Sequence, residues 1–396
     1  MAKHKKKKKK SSLNKVLFFI AALMLIVVIV LMLPKKGGDV AAKPTSAPEL
    51  TATPEPTAEQ TSEPTPEPTA TPEPTPTPTP EPVKIVLTAC GDCTLGGDMN
   101  GSSMGRFREY VSDADGNVDY GYCFRNVKSI FEEDDITLAN LEVVLTDRDD
   151  YLQREDKIFI MRGQPDYVNM LTENSIEVCN IANNHMTDFG QSGIDQMAQL
   201  LDDNGIGSCG YGYSYVTEVK GVTLGFVGIN YWTTEEDDFR SQLTAMREKC
   251  DIMIVSMHWG NELEYYPLEY QQKWGRIAVD LGADVVIGHH PHVLEGIEQY
   301  NGVNIVYSLG NFCFGGKANP DDKDTFIYRT TFTVDHTGRL TDTEYEIIPC
   351  KITSVKDDSS NNYQPTPITD KEDQVRLLKK IEKYSQQLSN PLKLTD

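Results

Sequence analysis

The stretch Gly282–His292 limits the possible folds of this 396-residue chain more than any other segment. It reads Gly-Ala-Asp-Val-Val-Ile-Gly-His-His-Pro-His, and its β-branched run Val285–Ile287 is typical of a short buried strand. His289, His290 and His292 follow directly, in the kind of strand-end loop where α/β folds place their chemistry. The stretch therefore predicts a functional loop, and a polar turn with exposed histidines is the alternative.

Side chains of the metal-binding type also follow other strands that the apolar pattern predicts. Five of the seven histidines lie in three predicted strand-end loops: His185, His258, His289, His290 and His292. Asp92, Glu142 and Asn184 lie at or near further predicted strand ends, where a loop cap or a salt bridge is the ordinary role of each. Their recurrence favours one shared centre, whereas His4 in the basic tail and His336 in a predicted turn are expected to be bystanders.

The proposed centre combines carboxylates, imidazoles and an amide oxygen. This set of donors suits one or two divalent ions of Mn, Fe or Zn, because these metals accept mixed oxygen and nitrogen ligands. Such an ion lowers the pKa of bound water and polarises a phosphoryl or carbonyl oxygen. The sequence contains neither a serine-centred nucleophile elbow nor a glycine-rich P-loop. These motifs therefore offer no alternative to metal-assisted chemistry.

The first forty residues predict a membrane anchor. The basic run Lys5–Lys10 precedes Val16–Leu33, which is 18 consecutive apolar residues. As a helix this segment spans about 27 Å, close to the thickness of a bilayer's hydrocarbon core. Because basic flanks stay in the cytoplasm, we expect residues 1–15 to be a cytoplasmic tail and the chain after the anchor to lie outside the cell. A cleaved signal peptide, with a cleavage site at Val40-Ala41-Ala42, is the alternative.

Residues 34–82 predict a disordered stalk rich in proline, threonine and glutamate. The segment Pro44–Pro82 holds 13 of the 22 prolines and almost no apolar side chains that a core would bury. In a polyproline conformation its 39 residues reach about 120 Å. We therefore expect the stalk to hold a folded domain away from the membrane.

The charge of the chain is unevenly distributed. Residues 1–43 carry 11 lysines and one aspartate, a charge of +10, whereas the whole chain carries −21, so the remainder carries −31. A domain this acidic excludes nucleic acid as a partner. It also disfavours a polyanionic polymer as a partner, except where a metal ion or local basic groups intervene.

Alternating strand and helix patterns extend from residue 83 to about residue 290, and mostly strand patterns follow. This order predicts an α+β domain over residues 83–352, built from two packed β-sheets flanked by helices. In the polar segment 353–396, four apolar residues recur at helical spacing and predict a helix that docks on the domain, with a partner-binding helix as the alternative. The eight cysteines lie mostly in apolar runs and are expected to be core thiols, although Cys90 and Cys93 have the spacing of a redox or zinc pair.

Taken together and in order, the motifs of residues 83–350 resemble those of the CapA family, which is named for poly-γ-glutamate capsule biosynthesis. The motifs that carry the resemblance are Gly91-Asp92, Leu95-Gly96, Asn140-Leu141-Glu142, Ala182-Asn183-Asn184-His185 with Asp188 and Gly190, His258-Trp259-Gly260-Asn261-Glu262, Gly282-Ala283-Asp284 with Gly288 and His290-Pro291-His292, and Ser308-Leu309-Gly310-Asn311-Phe312. The resemblance implies a fold similar to that of the calcineurin-like metallophosphoesterases.

The resemblance also implies roles for individual residues. The implied metal ligands are Asp92, Glu142, Asn184, His258, His290 and His292, with Glu142 in the bridging position. The implied catalytic residues are Asp92 and His185, the latter as the acid beside the metal. Four further motif residues are candidates for substrate contact: Trp259, Glu262, His289 and Asn311. For Trp259, packing in the core is the alternative that its residue type favours.

Two residues depart from the phosphoesterase pattern. Thr94 stands where those enzymes have a second histidine after the aspartate, and Glu142 stands where they have an aspartate. Both departures concern the first of the two metal positions. We therefore expect one tightly bound ion, and a second ion that is weakly bound or absent.

Three functional hypotheses follow. The first is a membrane-anchored, extracytoplasmic component of poly-γ-glutamate synthesis, export or anchoring, which would meet the membrane, the polymer and other membrane subunits of capsule synthesis. The second is a free-standing metal-dependent hydrolase of a cell-wall or extracellular phosphoester or amide. The third is a module that binds an anionic polymer through a bound metal ion and catalyses no reaction.

The anchor hypothesis predicts that protease added to intact cells or protoplasts removes the folded domain from the cell surface, because the domain follows the basic flank and the apolar span. An immunoblot for the domain, with a cytoplasmic protein as the control, measures this. Protection of the domain, or a mature N-terminus near Lys43, would contradict the prediction.

Overall fold

The strand Val83–Thr94 organises the fold because its apolar residues are buried along most of its length. In a computed structural model of the protein, residues 81–151 and 158–395 are described. The predicted tail, anchor and stalk up to residue 80 lie outside the described residues. Within the described part of the chain, no helix combines the length and the apolar character that crossing a membrane requires.

The strands are numbered in chain order. They are β1 Val83–Thr94, β2 Gly97–Asp98, β3 Ile136–Leu141, β4 Val144–Leu145, β5 Met161–Gly163, β6 Val178–Asn180, β7 Gly207–Cys209, β8 Ser214–Val219, β9 Val222–Asn230, β10 Ile252–His258, β11 Val285–His289, β12 Ile297–Tyr300, β13 Val303–Val306, β14 Asn311–Phe314, β15 Asp324–Val334, β16 Leu340–Lys351 and β17 Thr366–Pro367.

The α-helices are numbered in the same way. They are α1 Ser103–Val111, α2 Lys128–Glu132, α3 Asn169–Thr172, α4 Gly190–Asp203, α5 Glu236–Arg247, α6 Glu269–Asp280 and α7 Lys371–Ser385, with short 3-10 helices at Pro165–Val168 and Met186–Phe189. Local chemistry accounts for the start of α7. The Asp370 carboxylate accepts a hydrogen bond from the backbone N–H of Asp373, and acidic residues occupy the first turn, where they complement the helix dipole.

Two sheets carry the fold. The first sheet has the order β17-β16-β15-β1-β3-β6-β7, with β14 also paired to β1, and the second has the order β12-β13-β11-β10-β9-β8. The central strands of each sheet are parallel, which places their carboxyl ends at a common edge. A small third sheet, β2-β5-β4, lies outside this pair.

The two sheets pack face to face, with helices outside. One apolar cluster joins residues of the first sheet, such as Leu87 and Leu138, to residues of the second, such as Phe226 and Ile254. Two further clusters lie under the helices on the outer face of each sheet. The described residues therefore form two packed sheets flanked by helices, as the sequence predicts, because strands buried on both faces require cover on both sides.

Several local features have a direct physical cause. Strands β8 and β9 form a hairpin that turns at Lys220-Gly221, where both residues have positive φ. Residues 121–127 form turns before the short helix α2, and the buried side chain of Phe124 in these turns packs in an apolar cluster. Helix α1 was not predicted from the sequence.

The cysteines and the C-terminal helix behave as expected. All eight cysteines carry free thiols, and all but Cys250 are buried. Burial raises the pKa of the Cys90 and Cys179 thiols well above the ordinary value, as expected of core thiols. Helix α7 docks on the domain through the buried side chains of Leu377 and Ile381, which pack in the cluster between the sheets.

A buried ion cluster around Asp324 fastens α7 to strand β15. Arg376 donates to both carboxylate oxygens of Asp324, Lys380 donates at 2.7 Å, and Lys351 lies 3.0 Å away. Burial alone would raise the pKa of Asp324, but the hydrogen bonds from Arg376 and Lys380 hold that pKa well below its usual range. The carboxylate is therefore charged in the folded protein at all ordinary pH values.

We predict that Asp324→Asn lowers the free energy of unfolding by about 1–3 kcal/mol at pH 7, because it leaves three cations without their shared acceptor. Since the folded pKa is depressed, the stabilisation is complete above the unfolded pKa of about 3.9 and is lost as pH falls from that value through the folded pKa. Urea denaturation at pH 7, with a series of measurements below pH 4, measures both effects.

The matched control is Glu344→Gln, which removes an exposed partner of Lys84 and should change stability by less than about 0.5 kcal/mol. Equal losses in the two variants, or an Asp324→Asn effect that does not shrink as pH falls below about 3.9, would contradict the assignment.

Candidate metal centre

The centre forms where the carboxyl ends of the two sheets meet. In the first sheet, Asp92 at the end of β1 is paired with Asn140 on β3 and with Asn311 on β14. In the second sheet, His258 at the end of β10 is paired with His289 at the end of β11. Parallel strands side by side thus bring polar residues from distant parts of the chain to one edge.

The loop after β11 has an unusual backbone. His290 and His292 both have positive φ, at 97° and 58°. Non-glycine residues in this region cost roughly 1–3 kcal/mol each and persist only where the surroundings hold them. In this loop the strained backbone aims both imidazoles into the edge between the sheets.

Two groups of three donors overlap at this edge. One consists of Glu142, His258 and His290, and the other of Asp92, Glu142 and His292; within each group the donor atoms lie within 4.8 Å of one another. Glu142 belongs to both groups and is buried. The two groups are therefore two neighbouring candidate cation positions that share one carboxylate.

The position around His258 has a fourth donor. The Asn184 side-chain oxygen lies 2.9 Å from His258 Nε2, and Glu142 Oε1 lies 3.6 Å from the same nitrogen. With His290, these residues provide a carboxylate, an amide oxygen and two imidazoles. Such a set is typical of transition-metal sites with mixed ligands.

The other position lacks a donor where the sequence departs from the phosphoesterase pattern. The Thr94 hydroxyl donates a hydrogen bond to the backbone carbonyl of Glu142 at 3.2 Å. This hydrogen bond fixes the backbone at Glu142. The hydroxyl does not replace the imidazole that a complete site would use. The prediction of one tight and one weak or absent ion is compatible with this geometry and stays a prediction.

A chain of amides orients Asp92. The Asn180 amide donates to Asn140 at 3.0 Å, and the Asn140 amide donates to Asp92 Oδ1 at 2.8 Å. The backbone N–H of His290 donates to Asp92 Oδ2 at 3.3 Å. All three side chains are buried, so the network fixes the carboxylate against rotation.

The protonation of the centre follows from burial and charge. Burial, with nearby imidazoles, lowers the pKa of His258 well below its usual value and that of His290 to about 3, so both rings are neutral. Burial would also lower the pKa of His292, but Glu142 and Asp92 raise it to about 10. Burial would raise the pKa of Asp92, but hydrogen bonds to His289 and His292 hold it well below the usual range.

The residues present fit a divalent metal ion. Neutral imidazoles and ionised carboxylates are the forms that ligate metals. His290 Nδ1 is buried and has no hydrogen-bond partner within residues 81–151 and 158–395, so an ion beside it would satisfy a donor position that the protein leaves open. A protonated His292 between two carboxylates supplies positive charge at the second position, and its ring would release a proton on binding an ion there.

His185 lies beside the centre at the wall of a cavity of about 370 Å³. Its Nδ1 is 3.0 Å from the buried carboxylate of Asp188, which also accepts the backbone N–H of Met161. Because a carboxylate only accepts, it holds the ring in the Nδ1–H form. Asp188 belongs to the same sequence motif as His185, but its role as an orienting residue was not predicted.

The four candidates for substrate contact lie in different environments. Glu262 and Asn311 line the cavity. His289 is buried, with Nδ1 3.4 Å from Asp92 Oδ1. Trp259 does not reach the cavity: it is fully buried, stacks on Tyr307 and donates its indole N–H to the Tyr307 carbonyl. The alternative of core packing therefore describes Trp259.

Trp232 is an aromatic residue at the centre that sequence reasoning missed. Its ring lies 4.5 Å from the His290 ring and 6.1 Å from the His258 ring, while about half of the residue remains exposed. It lies two residues after the end of strand β9, and neither this spacing nor its residue type predicts that it contacts the histidines.

Comparison with known proteins gives one family and several relatives. The family described as "Bacterial capsule synthesis protein PGA_cap" matches residues 86–316. The PGA biosynthesis protein CapA of Bacillus subtilis (strain 168) is 31% identical over 280 residues, which cover 65% of this chain and 72% of that protein. The capsule biosynthesis protein CapA of Bacillus anthracis is 29% identical over 259 residues, which cover 58% of this chain and 60% of that protein.

Among solved structures, the 5'-nucleotidase precursor from Thermus thermophilus is similar over 67% of this chain and 54% of its own, with a TM-score of 0.39 and 13% identity.

We predict that ligand substitutions change bound metal in a graded way, because Glu142 serves both positions and the histidines serve one each. Glu142→Ala should remove all tightly held metal, and His258→Ala or His290→Ala should remove most of it. His292→Ala should affect only a weakly held ion. Mass spectrometry of metal content after dialysis measures this.

The control for these variants is His336→Ala, which changes an exposed turn residue and should leave the metal content at the wild-type level. Wild-type metal content in His258→Ala, or no metal in the wild-type protein after expression with ample Mn, Fe and Zn, would show that the edge between the sheets is only a polar cleft.

Proposed function

Because this chain belongs to the PGA_cap family of bacterial capsule synthesis proteins, the CapA family, we propose that it takes part in poly-γ-glutamate capsule synthesis, export or anchoring through a divalent-metal site. The observation that carries the proposal is the pair of donor groups that share Glu142. A buried carboxylate common to two sets of neutral and ionised ligands is an arrangement that a cation stabilises and that a metal-free core would avoid.

The proposed ligands divide between two ion positions. Asn184, His258 and His290 hold one ion with Glu142, whereas Asp92 and His292 hold the weaker one. When bound, such an ion supplies Lewis acidity and a lowered pKa for coordinated water. The buried amides Asn180 and Asn140 keep Asp92 in its orientation before any ligand arrives.

His185 acts as the general acid of the proposed site. Asp188 holds the Nδ1–H form, which leaves Nε2 as the nitrogen that exchanges a proton with a ligand in the cavity. The same carboxylate stabilises the ring when it becomes positively charged. This pairing of a titratable ring with a buried orienting carboxylate is typical of acid–base residues.

The proposed cellular setting follows from the segments outside the described residues. The apolar span Val16–Leu33 anchors the chain in the membrane, and residues 34–82 extend the domain outward. In that place the partners are the membrane, the poly-γ-glutamate chain and other membrane subunits of capsule synthesis. Metal ions mediate the contact between the acidic domain and an anionic polymer.

A second candidate function is free-standing hydrolysis of a cell-wall or extracellular phosphoester or amide, in the manner of the metallophosphoesterases. The observation that favours it is the placement of His185 and Asp188 at a cavity beside the donor groups. A module that only binds a polymer has no use for an oriented general acid. The two candidates differ in whether the capsule depends on the site.

We predict that His185→Ala lowers kcat for bis(p-nitrophenyl) phosphate by about 10²–10⁴-fold with unchanged metal content, because it removes the proton donor and leaves the ligands. Full-length protein in detergent, assayed with matched metal analysis, measures both quantities. His336→Ala is the control and should match wild type in both.

The amount of capsule on a mutant strain distinguishes the capsule function from free-standing hydrolysis. A strain that carries Glu142→Ala should lose its cell-bound poly-γ-glutamate if the site serves the capsule. A normal capsule in that strain, together with lost hydrolysis in vitro, would favour the free-standing hydrolase. Normal capsule and normal metal content together would contradict the proposed site.

A further inference from the structure

The cavity beside the donor groups has two walls that come from separate loops. One wall carries Glu262 and Leu263, from the loop after β10. The other carries residues 316–322, from the loop between β14 and β15. His292 and Asn311 lie at the floor, so the cavity opens directly onto the proposed metal site.

Six of the residues that line the cavity are apolar. The apolar lining residues are Phe159, Met161, Leu263, Val293, Phe314 and Pro320. Phe159 and Leu263 are among the exposed large apolar residues of the described chain, with 49% and 64% of their surface accessible. An apolar ligand group that covers these surfaces gains about 25 cal/mol for each Å² removed from water.

The charged residues at the cavity are largely paired. Lys317 is paired with Asp321 at 3.1 Å, and both are exposed. Lys380 donates to Asp322 at 2.7 Å. A ligand carboxylate in the cavity would therefore meet lysines that already have carboxylate partners, and Glu262 would repel it.

Helix α7 holds both walls. Lys380 donates to Asp322 at 2.7 Å and lies 5.9 Å from the Tyr265 ring. One turn further along the helix, Tyr384 packs against Tyr265 at 5.0 Å and Tyr266 at 5.4 Å between ring centroids. Asp322 belongs to one wall, and the two tyrosines follow Leu263 of the other.

These wall contacts lie largely outside the part of the chain that the capsule family matches. That match ends at residue 316, whereas Asp322, Lys380 and Tyr384 follow it. The metal donors all lie within the match. The helix therefore contacts the cavity walls from a part of the chain outside the matched segment.

We propose that this cavity selects a substrate with an apolar, uncharged group next to the atom that the metal site binds, and that Lys380 and Tyr384 are positioning residues that keep its two walls in place. The inference rests on the proposed metal site, because a ligand needs an anchor at the cavity floor. It assigns the cavity to an apolar substituent and disfavours a substituent that carries its own carboxylate.

The test compares two phosphonates on metal-loaded, full-length protein in detergent by isothermal titration calorimetry. Phenylphosphonate and 2-carboxyethylphosphonate share the anchoring group and differ in the group that enters the cavity. We expect phenylphosphonate to bind at least tenfold more tightly, a difference of about 1.4 kcal/mol. Leu263→Asp should abolish the preference, whereas Val216→Asp, which changes an exposed residue of β8, should retain it.

Separate variants test whether Lys380 acts as a positioning residue. Lys380→Met should weaken phenylphosphonate binding by roughly tenfold at unchanged metal content, and Lys380→Arg should restore it because the guanidinium also reaches the Asp322 carboxylate. A general loss of structure would not be rescued in this way. Bound metal is measured in every sample.

Three results would overturn the inference: equal or tighter binding of 2-carboxyethylphosphonate, binding of neither phosphonate by a protein that holds its metal, or an unchanged preference in Leu263→Asp. If the wild-type protein held no metal at all, the proposed function and this inference would both fall. The metal measurement thus separates the two failures.

Discussion

The buried carboxylate of Glu142 is the constraint on which the centre depends. It lies between two groups of ligand-type side chains that come from both sheets, at a depth where an uncompensated charge is costly. The protein compensates it with His292, whose pKa the neighbouring carboxylates raise to about 10 against the effect of burial. The amide chain behind Asp92 and the strained loop at His290 keep these groups in place.

The fold explains why such a centre is possible in a strongly acidic domain. Two sheets with parallel central strands present their carboxyl ends at one edge, so ligands from several strands converge without a long loop. The outer faces are covered by helices, and the apolar cluster between the sheets lies directly behind the centre. Rigid strands thus hold the donors, while the loops and helix α7 shape what can approach them.

Much of this could be predicted from the sequence, and the reasons are local. Asp92, His258 and the histidines of the loop at His290 follow apolar, β-branched runs, so their position at strand ends needs only the period of the pattern. The two-sheet architecture follows from the order of strand and helix patterns. Even the hairpin at Lys220-Gly221 has a local signal.

The rest depends on contacts between distant segments, for which a single sequence carries no signal. Trp232 faces the histidines, while Trp259, adjacent to a ligand in sequence, packs in the core. Lys380 reaches the cavity wall across more than fifty residues, through Asp322. Neither sequence spacing nor residue type distinguishes such partners from ordinary surface residues, because register and packing between elements decide them.

The most direct measurement of the central claim is anomalous scattering from crystals of the protein grown with Mn²⁺. The account predicts a strong anomalous peak bounded by Glu142, Asn184, His258 and His290. A second peak, beside Asp92 and His292, should be weaker or missing, with Glu142 between the two positions. The absence of any peak at the edge between the two sheets, or a strong peak elsewhere with none there, would contradict it.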